Sequence, residues 1–84
     1  MIMLENRLKQ VALNAAVDIS LRRMKKSPER CTRNLVELGM SAYPDQLTKE
    51  ESNEFSQKLL MVCKHGDCQE VRELFFRTFT KNQA

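Results

Sequence analysis

Three breaks punctuate an otherwise helix-forming chain, and they fix how many rods it can make. The first is Ser27-Pro28-Glu29. Ser27 suits an N-cap, Pro28 the first helical turn, and Glu29 the positive end of the helix dipole. The second is the segment SAYPDQL at 41–47, where Pro44 disfavours helical geometry at Tyr43. Thr48 and Glu51 then fit a capping box, with Leu47 placed as a hydrophobic staple. The third is Gly66-Asp67. Gly66 suits the left-handed position that closes a helix, and Asp67 with Glu70 starts the next one.

Between the breaks the composition is that of helices. Gly and Pro number two each and Trp is absent, while Leu, Met, Lys, Arg, Glu and Gln are favoured over β-branched residues. The pattern predicts a single all-α domain spanning 1–84. It is an up-and-down four-helix fold with a long first helix, its helices at about 3–26, 28–42, 49–64 and 68–80. The closing KNQA is expected to fray.

The first helix carries two apolar rows. Leu4, Leu8, Val11, Ala15 and Ile19 follow a 3–4 spacing and make one face, expected to join the core. Leu13, Val17, Leu21 and Met24 make a second row elsewhere on the cylinder. A surface helix needs only one stripe, and at 1.5 Å per residue this helix, about 36 Å long, outreaches its roughly 17–24 Å neighbours. The second row, with Phe76, is therefore expected to contact a second copy in a homodimer. The remaining core positions are Cys31, Leu35, Leu38 and Ala42 on helix 2; Phe55, Leu59, Val62 and Cys63 on helix 3; and Cys68, Val71, Leu74, Phe75 and Phe79 on helix 4. Gly39 ends helix 2 or sits in its last turn.

Charge is concentrated. The net charge is +3, but residues 22–33, RRMKKSPERCTR, hold six bases and one acid, leaving eight bases and ten acids elsewhere. Arg22, Arg23, Lys25, Lys26, Arg30 and Arg33, with Lys64 approaching from the end of helix 3, form a basic hinge. It suits phosphates of a nucleic acid or an acidic protein surface. No aromatic residue interleaves with the run to stack on bases, and a solvated turn would look the same. A helix-turn-helix around 34–41 fails because Pro44 interrupts the second helix and Glu50, Glu51 and Glu54 lead the next one.

Alternating rods bring Cys31, Cys63 and Cys68 to one pole, with His65 beside them. Cys3His is a tetrahedral zinc set, but each cysteine also lies on an apolar stripe, where a thiol is a small hydrophobe. An odd count of three cysteines argues against a disulfide framework and for a reducing, cytoplasmic setting. Charges at Glu5, Arg7, Lys9 and Asp18 exclude a signal peptide, and no stretch is long enough to span a membrane. One histidine and no phosphate loop or nucleophile elbow give no catalytic constellation and imply no cofactor. The function expected is therefore a non-enzymatic helical interaction or regulatory protein that dimerises and binds a protein partner. Met1, Met3, Met24, Met40 and Met61 would serve as adaptable contacts. The alternatives are a nucleic-acid-binding accessory protein using the basic hinge, and a zinc-stabilised helical domain.

Overall fold

The computed structural model describes residues 2–80, and the side chains of 7–79. Four helices follow in order: α1 (Ile2–Leu21), α2 (Pro28–Ala42), α3 (Lys49–His65) and α4 (Cys68–Thr80). There is no strand among the described residues. Expectations placed on Met1, on the side chains of Met3 and Leu4, and on the KNQA tail lie outside the described residues. No helix is long and apolar enough to cross a membrane among those residues.

The helix starts obey their local chemistry with one exception. At α3 both halves of the capping box form: Thr48 Oγ1 accepts from the Glu51 N–H at 3.1 Å, and Glu51 Oε1 accepts from the Thr48 N–H at 3.0 Å. At α4, Asp67 Oδ1 accepts from the Glu70 N–H at 2.9 Å. At α2, Pro28 occupies the first turn, but the Ser27 side chain makes no capping hydrogen bond. Leu47 is buried in the core. It staples nothing, because the fourth residue of α3 is the polar Ser52.

Two breaks differ from expectation. The first helix stops at Leu21 instead of continuing to residue 26. Beyond it the chain tightens through i→i−3 bonds, Arg23 N–H to Ser20 O at 3.2 Å and Met24 N–H to Leu21 O at 3.1 Å. Like charges at 22, 25 and 26 would stack on one helical face, which is unfavourable, and Pro28 forces Ser27 out of helical geometry. Gly66 is not left-handed either: its backbone is extended, with φ −103° and ψ −170°. A Cβ there would meet the movable Glu70 carboxylate at 2.9 Å and sit tightly against Val62 O at 3.0 Å.

The main correction concerns α1. Leu13, Val17, Leu21 and Met24, expected at a dimer contact, are buried within the monomer at 6% exposure or less. The row expected in the core faces solvent instead: Leu8, Val11 and Ile19 are 62%, 66% and 57% exposed, and Ala15 is exposed too. Phe76 is also not a free contact. It is half-buried, edge-on to Phe75 at 5.1 Å between ring centres.

Helix α2 is the central rod and packs against α1, α3 and α4. Its buried residues are Cys31, Thr32, Leu35 and Gly39, with Leu38 and Ala42 at the margin. Cys68, placed on the inward stripe of α4, is exposed, whereas Val71, Phe75 and Phe79 are fully buried. The two ends of the bundle differ in chemistry. One is aromatic: Phe79 meets Phe55 edge-on at 5.2 Å, Phe75 at 5.0 Å and Tyr43 in a stack at 6.3 Å. Lys9 Nζ of α1 lies 4.3 Å from the centre of the Tyr43 ring, a cation–π contact. The other end holds the cysteines, the end of α1 and the starts of α2 and α4, which is the up-and-down arrangement.

Gly39 belongs to the aromatic end and lies inside α2. A Cβ at this position would overlap the Phe79 ring, which sits directly on the glycine backbone. Gly39→Ala should therefore destabilise the fold by ~1–3 kcal/mol through overpacking, overriding the ~1 kcal/mol that alanine gains in an open helix. Urea denaturation of the two proteins measures this, and a more stable alanine variant would contradict the close approach.

Candidate functional site

Two regions carry more than packing. The first is the cysteine end. Cys31 near the start of α2 and Cys63 near the end of α3 are buried at 0% and 4% exposure. The two thiols lie close enough to shift each other's ionisation, and the Thr32 hydroxyl donates a hydrogen bond to Cys63 Sγ at 3.5 Å. Cys68 at the start of α4 is exposed, its Sγ directed to the Leu21 carbonyl at 4.0 Å. The alternating rods thus bring all three thiols to one end, as expected from the topology.

The paired thiols do not ionise alike. The hydrogen bond to Cys63 raises the Cys31 pKa, and burial and the negative charge that Cys63 or Cys68 would carry raise it further. The same hydrogen bond, with help from Thr32 and against the cost of burial, lowers that of Cys63 to about 7. Cys31 keeps its proton and donates it; Cys63 is the sulfur that becomes the thiolate. A hydrogen bond to the charged form of an acid favours that form.

His65 is exposed, and no group of three or more His, Cys, Asp or Glu among the described residues is arranged to hold a metal ion. The set Cys31, Cys63, His65 and Cys68 is therefore not gathered as ligands. Two of its thiols turn inward to each other, and the third turns to a backbone carbonyl.

The basic hinge surrounds this end. Arg22, Arg23, Lys25, Lys26, Arg30 and Arg33 are all exposed, while Met24 in their midst is buried and anchors the turn. None of the six forms an ion pair among the described residues. Lys64 does, with Glu29 at 3.8 Å across α2 and α3. The pair is exposed, so it contributes little to stability. Arg72 of α4 pairs with Asp18 of α1.

The second region is the outer face of α1. Leu8, Val11, Ala12, Ala15 and Ile19 are exposed along it. Beside it runs an apolar groove between α1 and α2, about 330 Å³ in volume, lined by Lys9, Ala12, Leu13, Ala16, Leu38, Ser41 and Ala42. Met61 on α3 is a separate exposed apolar residue, and Met40 is half-buried.

Thr32 was not singled out by sequence. Its signal was adjacency: on a central helix the residue beside a core cysteine also lies against a neighbour. Compared with known proteins, the chain matches no family model, no curated protein and no solved structure.

The cysteine pair makes a pH prediction. In a Cys68→Ser background, a thiolate should appear by ultraviolet absorbance with a midpoint at about 7. Cys31→Ala should move it upward, because burial would then outweigh the remaining Thr32 hydrogen bond. The linkage sign follows. A lowered folded value for Cys63 contributes stability that is present above the unfolded value of 9.0 and lost as pH falls through about 7. The raised Cys31 value works oppositely, costing stability only above 9.0. A midpoint unchanged by Cys31→Ala would contradict the shared proton.

Proposed function

We propose that this chain is a non-enzymatic helical interaction protein that functions as a homodimer, its contact being the outer face of α1. The observation that supports this is the solvent exposure of Leu8, Val11 and Ile19, each more than half exposed on the side opposite the core. Large apolar residues aligned in one row on a small protein mark a contact surface.

The row suits a second copy of itself. Leu8, Ala12, Ala15 and Ile19 are separated by four, three and four residues, a spacing that reads the same in both directions. In an antiparallel two-fold pair, Leu8 falls opposite Ile19 of the other copy and Ala12 opposite Ala15, as an isologous contact requires. The alanines in the centre let the backbones approach closely, and the apolar groove beside Ala12 and Ala16 offers a hole for a partner knob.

A second reading uses the basic hinge to bind nucleic acid or an acidic protein surface. Its support is that six exposed cations at 22–33 lack ion-pair partners among the described residues. Exchange of Arg22, Arg23, Lys25 and Lys26 for Gln should abolish any low-salt association with duplex or single strands. No association of the unaltered protein at low salt ends that reading.

Size-exclusion chromatography with light scattering at micromolar concentration tests the dimer. The unaltered protein should show twice the chain mass, and Leu8→Glu combined with Ile19→Glu should show one chain mass with unchanged helix content by circular dichroism. Both positions are exposed, so the variant should fold. A folded monomer for the unaltered chain would overturn the homodimer.

A further inference from the structure

The cysteine end carries an inference independent of the dimer. Two thiols from different helices face each other in a core that has no other use for polarity. Both thiols are buried, and the buried Thr32 hydroxyl, next to Cys31 in the chain, is aimed at the Cys63 sulfur, which a pair used only as packing would not need. We propose that Cys31 and Cys63 form a peroxide-oxidisable pair, a modification site that closes into a disulfide tying the start of α2 to the end of α3.

The asymmetry of the pair assigns the roles. Cys63 has the lowered ionisation and retains slight exposure, so it is the attacking sulfur. Cys31 is fully buried and protonated beside it, so it is the resolving thiol. A groove of about 300 Å³ opens between α2 and α3 with Thr32 in its wall, next to Ser56 and Leu60. Thr32 reaches Cys63 from that wall, so a molecule the size of hydrogen peroxide entering the groove is one side chain from the sulfur. Arg33 also lines this groove.

The chemistry balances without another reactant. Cys63 loses its proton, and its thiolate attacks one peroxide oxygen. The O–O bond breaks, hydroxide leaves and takes up the proton, and Cys63 becomes a sulfenic acid. Cys31 then attacks the Cys63 sulfur. The S–S bond forms as the S–O bond breaks, and the departing hydroxide takes the Cys31 proton. Two thiols are oxidised, and one peroxide is reduced to two waters. The disulfide forms between two thiols that already influence each other across α2 and α3. A thiol reductant reverses it by exchange.

The experiment treats the reduced full chain, and its Cys68→Ser variant, with a few equivalents of hydrogen peroxide. The expected product of both, by denaturing mass spectrometry, is a chain lighter by two hydrogens with no interchain disulfide, the Cys31 and Cys63 peptides being joined in a non-reducing digest. It should melt at higher temperature than the reduced form and revert with dithiothreitol. In Cys31→Ser, the unresolved sulfenic acid should be trapped by dimedone on Cys63. Oxygen added at Cys68 while Cys31 and Cys63 stay free would overturn the proposal, as would a disulfide involving Cys68. Dimedone on Cys68 but not Cys63 would do the same. Should Cys31→Ser fail to fold, the peptide map of Cys68→Ser decides alone.

Discussion

The burial of Leu13, Val17 and Leu21 on the side of α1 that enters the core is the constraint on which the other features depend. Once that row of α1 turns inward, Met24 follows it into the core and anchors the turn of like charges at 22–26. The bases around it are then pushed to the surface. The opposite row, from Leu8 to Ile19, is left without a partner in the monomer. Both proposed contact surfaces, the apolar outer face and the basic hinge, are thus consequences of one choice of helix face.

The second organising element is the central position of α2. A helix touched on three sides needs small residues where neighbours approach most closely. Gly39 serves this at the aromatic end, where the Phe79 ring lies on its backbone. At the other end the small residues are Cys31 and Thr32, both buried. Thiols fill such space as adaptable hydrophobes, but placing a second thiol across from the first adds acid–base and redox character. The same packing requirement is met by an inert residue at one end of α2 and by a reactive pair at the other.

Local features of this fold were legible in the sequence because they are decided by a few neighbouring residues. The capping box at Thr48 and Glu51 and the Asp67 start depend on hydrogen bonds within one turn, and the starts and breaks at Pro28 and Pro44 on the local sterics of proline. Features decided by distant residues were not. The face of α1 could not be assigned by periodicity, since its two rows are of similar length. A cue was present: Asp18 falls seven residues after Val11, in the same sector, so a charge interrupts the outer row. The inner row has polar residues in or beside its sector, Asn6, Gln10 and Ser20, but no charge. The end of α1 at Leu21 depends on repulsion among 22, 25 and 26 as well as on Pro28. Gly66 is extended where the C-cap rule expects a left-handed residue, and the chain leaves α3 directly into the Asp67 start of α4. At the site, gathering of the three cysteines at one end followed from counting rods, whereas their pairing and the part played by Thr32 required the packed interior.

The inward choice of the Leu13 row is tested most directly by comparing two single substitutions on α1 in urea denaturation. Leu13→Ala should cost about 2–5 kcal/mol, as removal of a buried leucine side chain does. Val11→Ala, measured at a concentration too low for self-association, should change stability by no more than about 0.5 kcal/mol. A large loss at Val11 with a negligible one at Leu13 would show that α1 packs through its other face, and the assignments of both surfaces would fall with it.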